Sequence, residues 1–155
     1  MAQTSTQQDN QKQPEFFIHR IYVKDLSIEL PNSPQVFVEE WRPEIELNIR
    51  IDHKAVTDLA SDSYEVTLFL KVTAKLPQDK VAVLVELTEA GIFKVAGWHG
   101  EELDRMLGAF CPSIIFPYAR EVIAESMARA SLQPLHLAPI NFDALYEERK
   151  KQQQQ

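Results

Sequence analysis

Residues 108–120 read Gly-Ala-Phe-Cys-Pro-Ser-Ile-Ile-Phe-Pro-Tyr-Ala-Arg, and the chain changes character here. Before this stretch apolar residues mostly alternate with polar ones; after it they recur at helical spacing. A helix-like pattern of Leu103, Met106, Leu107 and Phe110 runs in, and a longer one runs out towards Ser131. Pro112 has no backbone N–H, so it suits the first turn of a helix and makes Cys111 a boundary. Pro117 still lies in the opening turns, where a missing donor costs least. Ile114, Ile115, Phe116 and Tyr118 then crowd one helix entrance and need a surface to bury them, in this subunit or in another.

Upstream, the alternation predicts strands. Residues 16–30 place Phe16, Ile18, Tyr22, Leu26, Ile28 and Leu30 on one parity, interrupted by Arg20 and Lys24, with Asp25, Ser27 and Glu29 on the other. Pro31 and Pro34 mark a turn. Residues 36–41 read as a short extended piece, which Pro43 limits to an edge or a crossover. Ile45, Leu47, Ile49 and Ile51 alternate with charged or amide residues as a half-buried strand does. Tyr64, Val66, Leu68, Leu70, Val72 and Ala74 form another inward face, with Glu65, Thr67, Lys71, Thr73 and Lys75 opposed. After a turn at residues 77–79, Val81, Val83, Val85 and Leu87 point inward, and Ala82, Leu84, Glu86 and Thr88 outward. Gly91, Gly97 and Gly100 read as punctuating a loop that carries Ile92, Phe93 and Trp98.

Downstream, a helix of about 20 residues follows Cys111 with Val122, Ile123, Met127 and Ala130 on one stripe, and Pro134 ends it. A linker at 135–140 leads to a short helix that Asn141 can cap, presenting Phe142, Leu145 and Tyr146. Runs of strands followed by helices indicate an α+β fold built on an antiparallel sheet with one covered face.

At 155 residues the chain is one domain. Residues 16–148 read as the folded part, between disordered tails at 1–15 and 149–155 whose composition is polar and rich in Gln. The net charge of −7, from 16 basic and 23 acidic residues, argues against nucleic acid or an anionic membrane as partner. No signal-peptide pattern and no apolar run of transmembrane length is present, so the sequence reads as cytoplasmic with no direct membrane insertion. The single cysteine, Cys111, excludes an intrachain disulfide and reads as a small buried hydrophobe.

The sequence offers little for catalysis. His19, His53, His99 and His136 are scattered without ligand spacing, so no metal site is expected. Ser113 is outside any nucleophile elbow, and the four glycines form no phosphate loop. The expectation is a protein that is not an enzyme and carries no cofactor.

Several stretches together resemble SecB, the bacterial protein-export chaperone family. They are Arg20-Ile21-Tyr22-Val23-Lys24-Asp25, Gly91-Ile92-Phe93, Leu107-Gly108-Ala109-Phe110-Cys111-Pro112, Ile115-Phe116-Pro117-Tyr118-Ala119-Arg120 and Leu137-Ala138-Pro139-Ile140-Asn141-Phe142-Asp143-Ala144-Leu145. The resemblance runs in order from about Phe16 to Tyr146. It implies a four-stranded antiparallel sheet with one long and one short C-terminal helix packed on one face, assembled as a dimer of dimers. It implies an ATP-independent holdase that keeps precursor proteins unfolded and delivers them to SecA, the motor of the Sec translocase, without a cofactor. Family acidic positions that bind the basic, zinc-containing C-terminal region of SecA match Asp25, Glu29, Leu84 and Glu86 here. A client groove is placed between the crossover and the terminal helix, lined by Phe37, Trp41, Pro43, Phe142 and Leu145. The long helix and its entrance, with Phe110, Cys111, Ile115, Tyr118 and Val122, read as the scaffold of the homotetramer. The tail after Tyr146 departs from relatives with a longer acidic tail. Two other readings stay open here: a SecB-like chaperone of a toxin–antitoxin pair, and an α+β enzyme with a hydrophobic small-molecule pocket.

Overall fold

The computed structural model describes residues 13–154, so residues 1–12 of the expected N-terminal tail lie outside the described residues. Four strands, β1 (Glu15–Glu29), β2 (Glu44–Ala55), β3 (Ser63–Leu76) and β4 (Lys80–Ala96), form one sheet in the order β1-β4-β3-β2. Every neighbouring pair is antiparallel. Consecutive connections join β2 to β3 to β4, while the segment after β1 carries the chain from one sheet edge to the other.

The inward parities of β2, β3 and β4 are the expected ones. Val66, Leu68, Leu70 and Val72 of β3 and Val83, Val85 and Leu87 of β4 are fully buried. Each such side chain contributes about 1.5–3 kcal/mol by leaving water. Their cover is a helical layer: α1 (Gly100–Arg105), a π-helical turn (Met106–Phe110) and α2 (Cys111–Arg129), with Ile115, Ala119, Ile123 and Met127 buried against the sheet. The last element is α3 (Phe142–Gln153), whose N-terminus Asn141 caps by accepting from the Ala144 amide at 3.0 Å.

Five local expectations are corrected. First, β1 does not keep one parity. Register shifts between Ile18 and Arg20, and between Val23 and Asp25, leave His19 and Lys24 as extra residues. Each bulge flips the faces that follow. Ile21 and Val23 therefore join the helix side, and Tyr22 moves to the opposite face. Second, residues 91–96 are strand, since β4 runs on to Ala96. Gly91 is there because Phe93 folds back over it: a Cβ at Gly91 would lie 2.7 Å from the Phe93 Cζ. Third, the crossover holds a 3₁₀ turn, Gln35–Val38, that buries Val36.

Fourth, Cys111 is no helix boundary: α1, the π turn and α2 run on without a break. Pro112 cannot donate to the carbonyl four residues back, that of Gly108, and its ring crowds that oxygen. The helix opens into the wider turn instead, with the Cys111 amide reaching the Met106 carbonyl. Fifth, residues 149–153 belong to α3, so the expected C-terminal tail is ordered as helix through Gln153. Its basic residues serve as anchors: Arg149 donates to the carbonyls of Gly108 at 3.4 Å and Ile51 at 3.5 Å, and Lys150 pairs with Glu101. The carbonyl that Pro112 leaves free is thus a seat for α3.

Candidate functional site

The sheet face away from the helices is open to solvent. On it β1 lies beside β4 so that Asp25 faces Thr88, Ser27 faces Glu86 and Glu29 faces Leu84. Directly opposed residues of an antiparallel pair point to the same side, so Asp25, Glu29, Leu84 and Glu86 share one surface. Asp25 and Glu29 are exposed, and Leu84 and Glu86 half-buried. Lys71 of β3 lies 4.0 Å from Glu86, and Glu46 of β2, paired with Lys75 at 2.9 Å, extends the acidic region towards the far edge. The structure brings these four residues together, with one apolar side chain among three carboxylates.

Further along the same face lies a second charged group that sequence reasoning did not single out. Glu65 of β3 is only 8% exposed. It accepts from Lys24 at 2.8 Å and from the Tyr22 hydroxyl, with Lys54 at 3.9 Å. Burial alone would raise its pKa, but the hydrogen bonds from Lys24 and Tyr22 and the charges of Lys24 and Lys54 hold it below the usual carboxylate range. Tyr22, partly buried and donating to a carboxylate, is pushed up to about 12. The signal for this cluster was Lys24, one of the two β1 interruptions and itself the extra residue of the second bulge.

The five groove residues do not line one cavity. Phe142 is 3% exposed and packs edge-to-face on Phe116, ring centroids 5.7 Å apart. Leu145 instead borders a shallow cavity of about 300 Å³ with Ile49 and Ile51 of β2 and with Glu148, Arg149 and Gln152 of α3. Trp41 and Pro43 are half-buried, Trp41 against the core, while Phe37 is 49% exposed on the crossover turn. Beside it Val38 is more exposed still, an apolar residue the sequence reading passed over.

A comparison with protein families matches residues 9–153 to the preprotein translocase subunit SecB. The chain belongs to the SecB family. Among curated relatives, the protein-export protein SecB of Marinobacter nauticus is 48% identical over 147 residues, covering 95% of this chain and 87% of the relative. That of Nitrosococcus oceani is 46% identical over 159 residues, covering 99% and 94%. Among solved structures, the Mycobacterium tuberculosis Rv1957 SecB-like chaperone, in complex with a ChAD peptide from the Rv1956 HigA1 antitoxin, superposes with a TM-score of 0.64. At 16% identity, covering 81% of this chain and 90% of that one, the likeness shows a SecB-like fold. Export is the role of this family, and the chain is a protein-export chaperone of the SecB type.

Within this SecB-type fold the five scaffold residues divide. Cys111 and Ile115 are wholly buried inside the single chain, and burial pushes the Cys111 thiol up to about 12, so it is held as an uncharged thiol. Phe110 and Tyr118 are 46% and 53% exposed, Phe110 with its ring edge-on to Phe16 of β1 at 5.2 Å, and Val122 is half-buried. α3 is held down by Tyr146, which donates to Asp104 Oδ2 at 2.6 Å and lies over Gly108, where a Cβ would stand 2.9 Å from its ring. Arg105 reaches Asp143 at 3.5 Å and also pairs with Glu147. No helix of the described residues is long and apolar enough to cross a membrane.

Proposed function

We propose that this SecB-family chaperone is a cytoplasmic, ATP-independent holdase that binds unfolded precursor proteins on apolar surface and passes them to SecA from a separate acidic surface. It uses no cofactor and works by binding alone, as a dimer of dimers. The observation that carries this reading is the surface formed by Asp25, Glu29, Leu84 and Glu86 on the helix-free side of the sheet. An exposed ion pair is worth only about 0–1 kcal/mol, so no single carboxylate dominates. Grouped carboxylates instead draw a basic partner, such as the basic C-terminal region of SecA, in a salt-sensitive way, and Leu84 adds an apolar contact.

Client contacts fall to Phe37, Trp41 and Pro43 of the crossover and to Phe142 and Leu145 of the terminal helix. Support comes from the exposure of Phe37 and from the shallow apolar strip of Leu145, Ile49 and Ile51. Phe142 joins them only if α3 shifts from Phe116. One apolar pocket binds weakly once ordering of the client is charged against it. Repetition on four subunits turns weak contacts into avidity. Phe110, Tyr118 and Val122 cover one another between subunits, above the internal Cys111 and Ile115.

The test is Asp25→Asn combined with Glu86→Gln. SecA affinity falls about tenfold or more at low salt, while suppression of refolding of a slow-folding precursor stays within twofold, on the ion-pair scale above. Equal loss of both activities would show that the two surfaces are not separate. The export reading is favoured over service to a toxin–antitoxin pair because the export relatives share nearly half their residues with this chain, whereas the antitoxin-bound structure is similar in fold only.

A further inference from the structure

Glu89 is the one acidic residue on the helix-covered face of β4. It stands between Leu87 and Gly91 on its own strand, opposite Val23 of β1 and Leu68 of β3. It is 3% exposed, and its Oε2 is the only buried side-chain nitrogen or oxygen among the described residues without a hydrogen-bond partner. The charged group acting on it from the helical layer is another carboxylate, Glu121 of α2. Val23 and Leu68 are apolar, and Lys24, next along β1, turns to Glu65 on the opposite face. His136 of the linker lines a cavity with Arg120, Glu121 and Glu125.

A second observation concerns what lies beside Glu89. The helical layer covers β1 only in part, with the Phe16 ring edge-on to Phe110 at 5.2 Å. Ile18, Val23, Leu26 and Ile28 face the same side as Phe93, Glu89, Leu87 and Val85, yet all four remain exposed while their β4 neighbours are buried. An exposed apolar row on an edge strand is a surface for association. Another copy of this chain, which the assembly proposed above supplies, is the matching cover. Val23 belongs to this row and is the ladder partner of Glu89. Covering the row therefore closes the remaining approach of water to Glu89.

We propose that the Glu89–Glu121 carboxyl pair makes self-association proton-linked: copies join with Glu89 protonated, and the contact weakens as Glu89 ionises. The inference rests on the assembly reading above. A carboxylate without a partner is costly in an apolar setting, and a like charge nearby adds to the cost. Burial and then Glu121 already push Glu89 from 4.5 up to about 7 in the single chain. Covering Val23 raises it further, so the assembled form binds more protons, and association falls as pH rises through this range.

The experiment is sedimentation equilibrium of the full chain between pH 6 and 8.5 at fixed ionic strength, beside Glu89→Gln and Glu121→Gln. The unsubstituted chain loses up to about tenfold in association constant across the range, the limit for one proton per contact when a pKa moves by about one unit. Glu89→Gln is flat and associates at pH 8.5 as tightly as the unsubstituted chain at pH 6. Glu121→Gln keeps the pH dependence with its midpoint moved to lower pH, because removing the like charge lowers the Glu89 pKa. Assembly that is equally pH-dependent in Glu89→Gln overturns the proposal and leaves the assembly reading standing. A chain that is monomeric at every pH and concentration overturns both. Near-ultraviolet circular dichroism of each variant separates loss of association from loss of fold.

Discussion

Glu65 and Glu89 sit on neighbouring strands of one hairpin, both nearly out of reach of water, on opposite faces of the sheet. Their carboxyl groups are driven in opposite directions. For Glu65, burial is outweighed by Lys24, Tyr22 and Lys54, and the group titrates below the usual range. For Glu89, burial acts with Glu121, nothing opposes it, and the group rises to about 7. Burial does not by itself decide what a buried acid does: its partners do. On the solvent-facing side two bulges in β1 deliver Lys24 and Tyr22 to Glu65. On the helix side the neighbours are apolar or acidic, and the charge has nowhere to go.

The comparison predicts opposite pH slopes of stability, and the larger effect belongs to Glu89. Its folded pKa is raised, so its favourable contribution is complete below about 4.5 and is lost as pH rises to about 7. Glu89→Gln removes that loss. The stability of this variant relative to the unsubstituted chain should improve on the order of 3 kcal/mol between pH 4.5 and 7.5, following 1.36 kcal/mol for each pKa unit. Urea unfolding at matched protein concentration checks it. A difference that stays constant with pH would remove the contrast between the two faces.

Glu65 runs the other way. Its pKa is lowered, so its contribution is present above about 4.5 and is lost as pH falls through its folded value. Glu65→Gln should cost about 1–2 kcal/mol at pH 7, the scale of charge-assisted hydrogen bonds, and much less at pH 3. A double-mutant cycle with Tyr22→Phe sharpens this: the two changes are not additive if the phenol and carboxylate act as one unit.

Much of the fold could be read from residue order, and the reasons it could not be read everywhere are local. In β2 as far as Ile51, and throughout β3, every second residue is apolar, so period and face follow directly. In β1 the same reading placed Tyr22 with the core, because a bulge is invisible to a strict period of two. Gly91 and Gly97 suggested a loop, whereas Gly91 is a close approach of the Phe93 ring within β4. Pro112 suggested a helix start because a missing donor is usually placed there; the chain tolerates it as a π turn and fills the spare Gly108 carbonyl from Arg149. The acidic surface was legible because Asp25 and Glu29 lie beyond the second bulge of β1, where parity is regular again, facing Leu84 and Glu86 on the regular strand β4. Glu89 was not, since nothing in its own strand tells whether α2 brings a cation or Glu121 over it.

The smallest prediction concerns the turn that sets both acids in place. β3 and β4 are joined at Pro77–Asp79, where Gln78 (φ 68°) and Asp79 (φ 56°) both adopt left-handed backbone. Two such residues in succession suit a tight hairpin, but a long side chain such as Gln pays a steric penalty that Asn largely avoids. Gln78→Asn should therefore stabilise the chain by about 0.5–1 kcal/mol, seen as a higher urea midpoint with an unchanged slope. The turn fixes which residues of β3 and β4 face each other, with Glu65 opposite Ile92 and Glu89 opposite Leu68. A slip of one residue would exchange the faces of one strand and bring a charged group to the wrong side. Since the substitution relieves the turn without moving the register, both pH slopes should survive it unchanged. If either slope changes sign or disappears, the register depends on Gln78, and the opposite behaviour of the two acids belongs to the turn and not to their partners.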